Sequence, residues 1–169
     1  MAKILLTSFQ TWLPHQSSNS SDDLLEEIAQ LNSLSHSLAF LRHLPVDIAG
    51  ASDRTITKIN ELQPDIVICC GMAESRYQLT VESNASRGDT ILRNSLDLDG
   101  LIEGLVETVI SHDAGKFVCE GLYYSVLHHL HKTGMKKHSL FVHVPVLTPR
   151  NIDGIVADFQ LIMERLASL

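Results

Sequence analysis

The sequence predicts an α/β fold, a three-layer α/β/α sandwich around a mainly parallel, mixed central sheet. Three observations carry that prediction. Strand-length apolar runs alternate with helix-length amphipathic segments along the chain. The runs Ile4-Leu5-Leu6 and Asp65 to Gly71 (DIVICCG) are continuous rather than alternating, which suits parallel strands covered on both faces. Near the end, Ile152, Ile155, Val156, Phe159, Ile162, Met163 and Leu166 recur at helical spacing and form one long apolar stripe. At 169 residues the chain suits a single domain over 1–169.

The elements follow in order. Ala2 to Phe9 reads as the first buried strand, too short to cross a membrane and lacking the h-region and cleavage site of a signal peptide. Gln10 to Ser21 is a polar loop with Trp12 and Pro14, and Ser20 or Ser21 is expected to cap a helix reaching about Leu31. Asp22, Asp23, Glu26 and Glu27 sit near its start, where the helix dipole favours anions. His36 to Val46 is a second strand. Arg54 to Leu62 is a helix that Pro64 stops, and Asp65 to Gly71 is the next strand. Gln78 to Ser83 alternates and suits a strand with one wetter face, whereas Arg87 to Gly100 is polar and turn-rich. Leu105 to Ser111 is a strand by its β-branched content, although Leu101 to Ile110 has partly helical character. Phe117 to Lys132 is a helix with Gly134 as its C-cap, and Ser139 to Val144 is the last strand. Thr148-Pro149 is expected to open the final helix.

Composition excludes several roles. Hydrophobic residues make up 44% and charged residues 20% of the chain, an ordinary globular balance. A net charge of −7 argues against nucleic acid or an anionic membrane as partner. Three cysteines imply no disulfide framework and fit a reducing, cytoplasmic setting. Neither a phosphate-binding G-x-x-x-x-G-K-[ST] motif nor a G-x-G-x-x-G after the first strand occurs, so no nucleotide cofactor is expected. His128, His129 and His131 form an HHLH run without an acidic or cysteine partner at fixed spacing, so a wet helix face is expected there rather than a metal site.

The stretch Ser111 to Leu130 (SHDAGKFVCEGLYYSVLHHL) is the centre of the functional reading. A strand leads in, a small-residue turn with Ala114 and Gly115 follows, and Cys119 stands at the start of a helix. Free N–H groups and a positive dipole end are available there, and both favour a thiolate nucleophile. The competing reading makes Cys119 a buried small hydrophobe. Cys69 and Cys70 are adjacent in a buried strand, point to opposite faces and read as core. His143, in FVHVP, is placed late in the last strand as a base, with a core histidine as the alternative. Glu82 ends the strand from Gln78 and suits the group that orients the base; a solvated strand-end carboxylate is its plainer reading.

Five stretches, in order, carry a resemblance to a known family. TSFQTW with Asn19-Ser20 after it, PDIVICCGMAESR, LTVES, SHDAGKFVCEGLYYSVLH and FVHVP resemble successive motifs of the pyroglutamyl peptidases, cytosolic cysteine peptidases. The resemblance covers most of the chain. It implies Cys119 as nucleophile, His143 as base and Glu82 as acid. It implies Arg76 near the oxyanion, Phe9 and Trp12 over a pyrrolidone ring, Phe117 and Val118 beside the nucleophile, and Ile91 as a further pocket residue. Met72 stands where the family has glutamine, Glu74 and Ser75 replace a glycine pair, and Ser83 replaces the arginine after the acid. The region from Asn94 to Leu105 is also shorter than in the family, marking a short, divergent member.

The expected function is therefore a cysteine exopeptidase that removes an N-terminal pyroglutamyl residue from peptides by a Cys-His-Glu triad. Two alternatives stay open: a thiol amidase acting on a different small amide, and a non-catalytic binding protein that keeps the fold. No cofactor and no metal is expected. The expected partner is a peptide or small amide, with neither nucleic acid nor membrane, and self-association into a homo-oligomer is left open.

Overall fold

The structure is a computed structural model that describes residues 1–31 and 35–169. In chain order its elements are β1 (Lys3–Phe9), α1 (Ser20–Ala29), β2 (Ser37–Leu44), α2 (Ile48–Leu62), β3 (Ile66–Met72), β4 (Leu79–Glu82), β5 (Asn84–Arg87), β6 (Thr90–Arg93), α3 (Leu98–Ile102), β7 (Thr108–Ser111), α4 (Val118–Thr133), β8 (His138–Val144) and α5 (Ile152–Ala167). Six strands form one sheet in the order β2-β1-β3-β8-β4-β7, and β5 and β6 form a separate antiparallel hairpin. The pairs β1–β2, β1–β3, β3–β8 and β4–β7 are parallel, while β4 runs antiparallel to β8. The sheet is thus mixed and mostly parallel, as its continuous apolar strands require.

Strand alternation sends successive side chains to opposite faces and creates two cores. On one face Ile4, Leu6, Ile68, Cys70 and Val142 meet α1, α3 and α5 through residues such as Leu24, Leu98 and Phe159. On the other, Leu5, Val67, Cys69 and Phe141 meet α2 and α4 through Ile59, Leu122 and Val126. Cys69 and Cys70 are both fully buried and do fall in opposite cores.

Several local expectations change. Asn19, not Ser20 or Ser21, caps α1, its side chain accepting from Ser21 N–H at 3.0 Å. Helix α2 starts at Ile48, six residues before Arg54, because Asp47 caps it by accepting from Gly50 N–H at 2.6 Å. The polar stretch after Arg87 contains β6 and the start of α3. Strand β4 has no wet face: it lies between β8 and β7 and all four of its residues are buried. Pro149 precedes α5 rather than opening it, since the turn Thr148–Asn151 comes first.

Candidate active site

Cys119 is the second residue of α4, which starts after Phe117 with no side-chain cap. The first N–H groups of that helix are therefore free of a side-chain acceptor. Strand β7 lies at the sheet edge, three places from β3. At about 4.8 Å per strand the chain must cross roughly 14 Å to return to the sheet centre, which the loop from His112 to Phe117 does. The helix start then rests on Gly71. A methyl carbon at position 71 would lie 2.5 Å from Cys119 Sγ and 3.0 Å from Phe141 Cζ, so only glycine lets the sulfur approach this closely. Gly71 pairs in register with His143 on β8. Registered neighbours in a parallel pair share a face, so the His143 ring and the glycine on which the thiol rests occupy adjacent strand positions on the α4 side of the sheet.

His143 is buried, and its Nδ1 lies 2.7 Å from Glu82 Oε1. Because β4 is antiparallel to β8, with Thr80 opposite His143, Glu82 falls beneath the histidine rather than at the rim. It is 0% exposed. Arg76 reaches the same oxygen with Nη1 at 2.5 Å, also bonds Thr80 Oγ1, and donates from Nη2 to the Asp113 carbonyl at 2.7 Å. Its guanidinium thus joins Glu82 to the loop that leads into α4 and Cys119. Burial raises the Glu82 pKa, but hydrogen bonds from His143 and Ser111, with Arg76 adding to them, prevail and hold the carboxyl below its ordinary value. Tyr123, one turn after Cys119 on the same helix face, donates its hydroxyl to the Glu82 carbonyl at 3.1 Å.

The thiol itself departs from the expectation of an acidic cysteine. Burial first, then the Glu82 carboxylate and Cys69, push the Cys119 pKa up to about 12, and Arg76 opposes them only in part. Such a shift favours the neutral thiol in the free protein, so that its proton is taken during the reaction.

A cavity of about 320 Å³ opens at this point, at the carboxyl ends of β1, β3 and β8. Of the residues singled out in the sequence, Phe9, Trp12, Met72, Phe117, Val118, Cys119 and His143 line it. The rings of Trp12 and Phe117 meet at 5.3 Å on the rim. Arg76 is absent from that lining, because its donors face Glu82, Thr80 and Asp113 rather than the space an oxyanion would fill. Ile91 is absent as well: it sits in β6 opposite Ser86, 56% exposed. Met72 follows Gly71 and so turns to the opposite face, where its sulfur receives Ser20 N–H at 3.4 Å. Gln16, Asn19, Glu74 and Lys116 complete the polar part of the lining. Asn19 and Glu74 already stood out within the motif stretches; Gln16 carried no signal beyond its place in a polar loop.

Comparison with known proteins gives a consistent picture. The model of a family described as pyroglutamyl peptidase matches residues 97–164, the part that holds Cys119 and His143. A pyrrolidone-carboxylate peptidase of Thermoanaerobacter sp. is 31% identical over 121 residues, which are 56% of this chain and 60% of that protein. The alignment therefore spans only about three fifths of that relative's length. A pyrrolidone-carboxylate peptidase of Vibrio vulnificus is 28% identical over 87% of this chain and 80% of its own length. Among solved structures, pyroglutamyl peptidase I of Bacillus amyloliquefaciens superposes with a TM-score of 0.87 at 20% identity, covering 100% of this chain and 98% of that one, which establishes the shared fold.

Proposed function

We propose that this chain, which resembles pyrrolidone-carboxylate peptidases in sequence and pyroglutamyl peptidase I in fold, is a cysteine exopeptidase that releases an N-terminal pyroglutamyl residue from a peptide. One observation supports the reading above the others. Glu82, His143 and Cys119 are linked in sequence through a 2.7 Å contact and the shared neighbour Gly71. A carboxylate at Nδ1 fixes the proton there and leaves the Nε2 lone pair free to act as base.

In the proposed reaction, Cys119 Sγ attacks the pyroglutamyl carbonyl carbon as His143 Nε2 takes the thiol proton. Charge collects on the carbonyl oxygen, where the uncapped N–H groups at the start of α4 stabilise it. The C–N bond then breaks, and the imidazolium gives its proton to the departing amine. Water attacks the thioester, His143 removes a proton from it, and the thiol is restored as pyroglutamate leaves. Glu82 keeps one tautomer throughout and steadies the imidazolium. Arg76 serves as a positioning residue that holds the Glu82 carboxylate ionised and in place. Phe9, Trp12, Phe117 and Val118 cover the apolar body of the ring.

Lactam recognition falls to main-chain groups of the cavity, since Met72 has no amide to offer and the amides of Gln16 and Asn19 are already bonded to neighbouring protein groups. Without a dedicated side-chain amide at position 72, discrimination against prolyl and alanyl amides is expected to stay below the 10⁴ or so that a fully paired polar pocket reaches. The test is turnover of fluorogenic pyroglutamyl, prolyl and alanyl amides of one leaving group, with Cys119→Ala as control. The pyroglutamyl amide should be the best substrate, and the variant should be inactive. Turnover that survives in Cys119→Ala, or none on any of the three amides, would remove the peptidase reading.

A further inference from the structure

The loop of residues 10–19 carries Trp12 and Leu13 to the rim of the cavity. Its base is closed by two bonds, Asn19 Nδ2 donating to Gln10 O at 3.2 Å and Gln10 N–H to Leu44 O at 3.0 Å. Ser18 Oγ adds a bond to Asp23 Oδ2 on α1 at 2.7 Å. Farther out Gln16 braces the loop and uses both ends of its amide. Its Oε1 accepts from the N–H groups of Trp12 and Leu13 at 3.0 and 3.2 Å, which folds the loop on itself. Its Nε2 donates to Glu74 Oε1 at 2.5 Å, on the connection leaving β3. His15 Nε2 lies 3.2 and 3.0 Å from the two oxygens of the same carboxylate. Glu74 and Gln16 both line the cavity, and the loop's indole ring meets Phe117 beside Cys119.

We infer that Glu74 is a positioning residue: through the Gln16 strut it holds the Trp12 loop closed over the cavity and so sets how tightly an apolar ring is gripped there. That the ring is a pyrrolidone rests on the proposed function; the strut itself does not. The geometry explains why the two residue types belong together. An amide can accept from two loop N–H groups at its oxygen and donate outward from its separate nitrogen. A carboxylate is the acceptor that strengthens such a bond. His15, then Gln16, also hold the Glu74 carboxyl below its ordinary pKa, so the acceptor is ionised at neutral pH.

Trp12 is the single tryptophan of the chain, so its emission reports the loop directly. Gln16→Glu keeps the acceptor for Trp12 and Leu13 but replaces the donor with a second carboxylate facing Glu74. In the ligand-free variant, Trp12 emission should shift to longer wavelength and acrylamide quenching should increase. KM for a pyroglutamyl amide should rise about three- to tenfold, the loss expected for one charge-assisted hydrogen bond. Over the same change kcat should stay within about twofold, because only binding is altered. Combining Gln16→Glu with Glu74→Gln reverses the donor and acceptor, and should restore both quenching and KM toward wild type. Wild-type quenching in Gln16→Glu, or a double variant no better than the single one, overturns the inference. The fluorescence cycle gives its answer without turnover, so an inactive protein would count against the peptidase reading and leave the strut to be judged separately.

Discussion

At the scale of the residue, the site depends on an absent side chain. A Cβ at position 71 would meet Cys119 Sγ at 2.5 Å and the Phe141 ring at 3.0 Å. Phe141 is fully buried and packs on both Tyr123 and His143, so it has little room to move. The sulfur must therefore give way, and it lies on the reacting side. Gly71→Ala is expected to lower stability by about 1–3 kcal/mol, as overpacked cores do. Its effect on rate should be larger: displacing a nucleophile by about 1 Å can lower kcat roughly a hundredfold. Steady-state kinetics beside urea unfolding separates the two effects, and a folded Gly71→Ala protein with wild-type kcat would show that Cys119 does not work from this position. The raised thiol pKa points the same way. A cysteine that is neutral until the base acts depends on its distance to that base more than a preformed thiolate would.

At the scale of the element, α4 is the beam that connects nucleophile and acid. Cys119 and Tyr123 are four residues apart and share a face, and Tyr123 fastens that face to the Glu82 carbonyl while accepting from Asn94 Nδ2 at 2.8 Å. Tyr123→Phe removes the buried bonds to the Glu82 carbonyl and from Asn94 Nδ2, so the free energy of unfolding should fall by about 1–3 kcal/mol. Because Sγ stays against Gly71, kcat should fall much less than in Gly71→Ala; an unchanged urea midpoint would show that these bonds do not hold the helix. The same helix was legible in advance, from the apolar pattern after Phe117 to the C-cap Gly134, which adopts φ 63°. The hairpin β5–β6 was not. Its strands are four residues each and mostly polar, and the Gly88-Asp89 turn between them, with Gly88 at φ 57°, was hidden in a polar run. The depth of Glu82 was equally hidden, since LTVE alternates like a half-wet strand and only its position between β8 and β7 buries both faces. Motif order could bring Cys119, His143 and Glu82 together on the page, but not the Gln16–Glu74 strut, whose partners are 58 residues apart and belong to no shared pattern.

At the scale of the whole molecule, buried ionisable groups bracket the pH range in which the fold is stable. On the acid side, burial raises the pKa of Asp22, but its bonds from Arg42 and Ser8 prevail and lower it, and Glu82 is lowered by His143 and Ser111 in the same manner. The Asp22 network is extensive: Arg42 Nε and Nη2 each donate to it at 2.8 Å, and Ser8 Oγ at 2.6 Å, tying α1 to β1 and β2. A carboxylate depressed in the native state stabilises it above the unfolded value of about 4 and loses that contribution as pH falls through the native pKa. On the alkaline side the sign reverses. Burial pushes Cys69 up to about 12, Cys70 well upward and Cys119 up to about 12. The unfolded chain gives up these protons first, from about pH 8.5, so stability declines by roughly 1.4 kcal/mol per pH unit for each thiol above that point. Urea unfolding from pH 3 to 10 should therefore give a plateau between about pH 5 and pH 8 with a falling limb on either side. Cys69→Ala should lower the plateau by opening a small cavity, yet make the alkaline limb shallower, because one of the titrating thiols is gone. Wild-type stability that stays level from pH 8 to pH 10 would mean that the thiols ionise as readily in the native sheet as in the unfolded chain. The neutral-thiol description of Cys119, and the general-base step built on it, would then have to be given up.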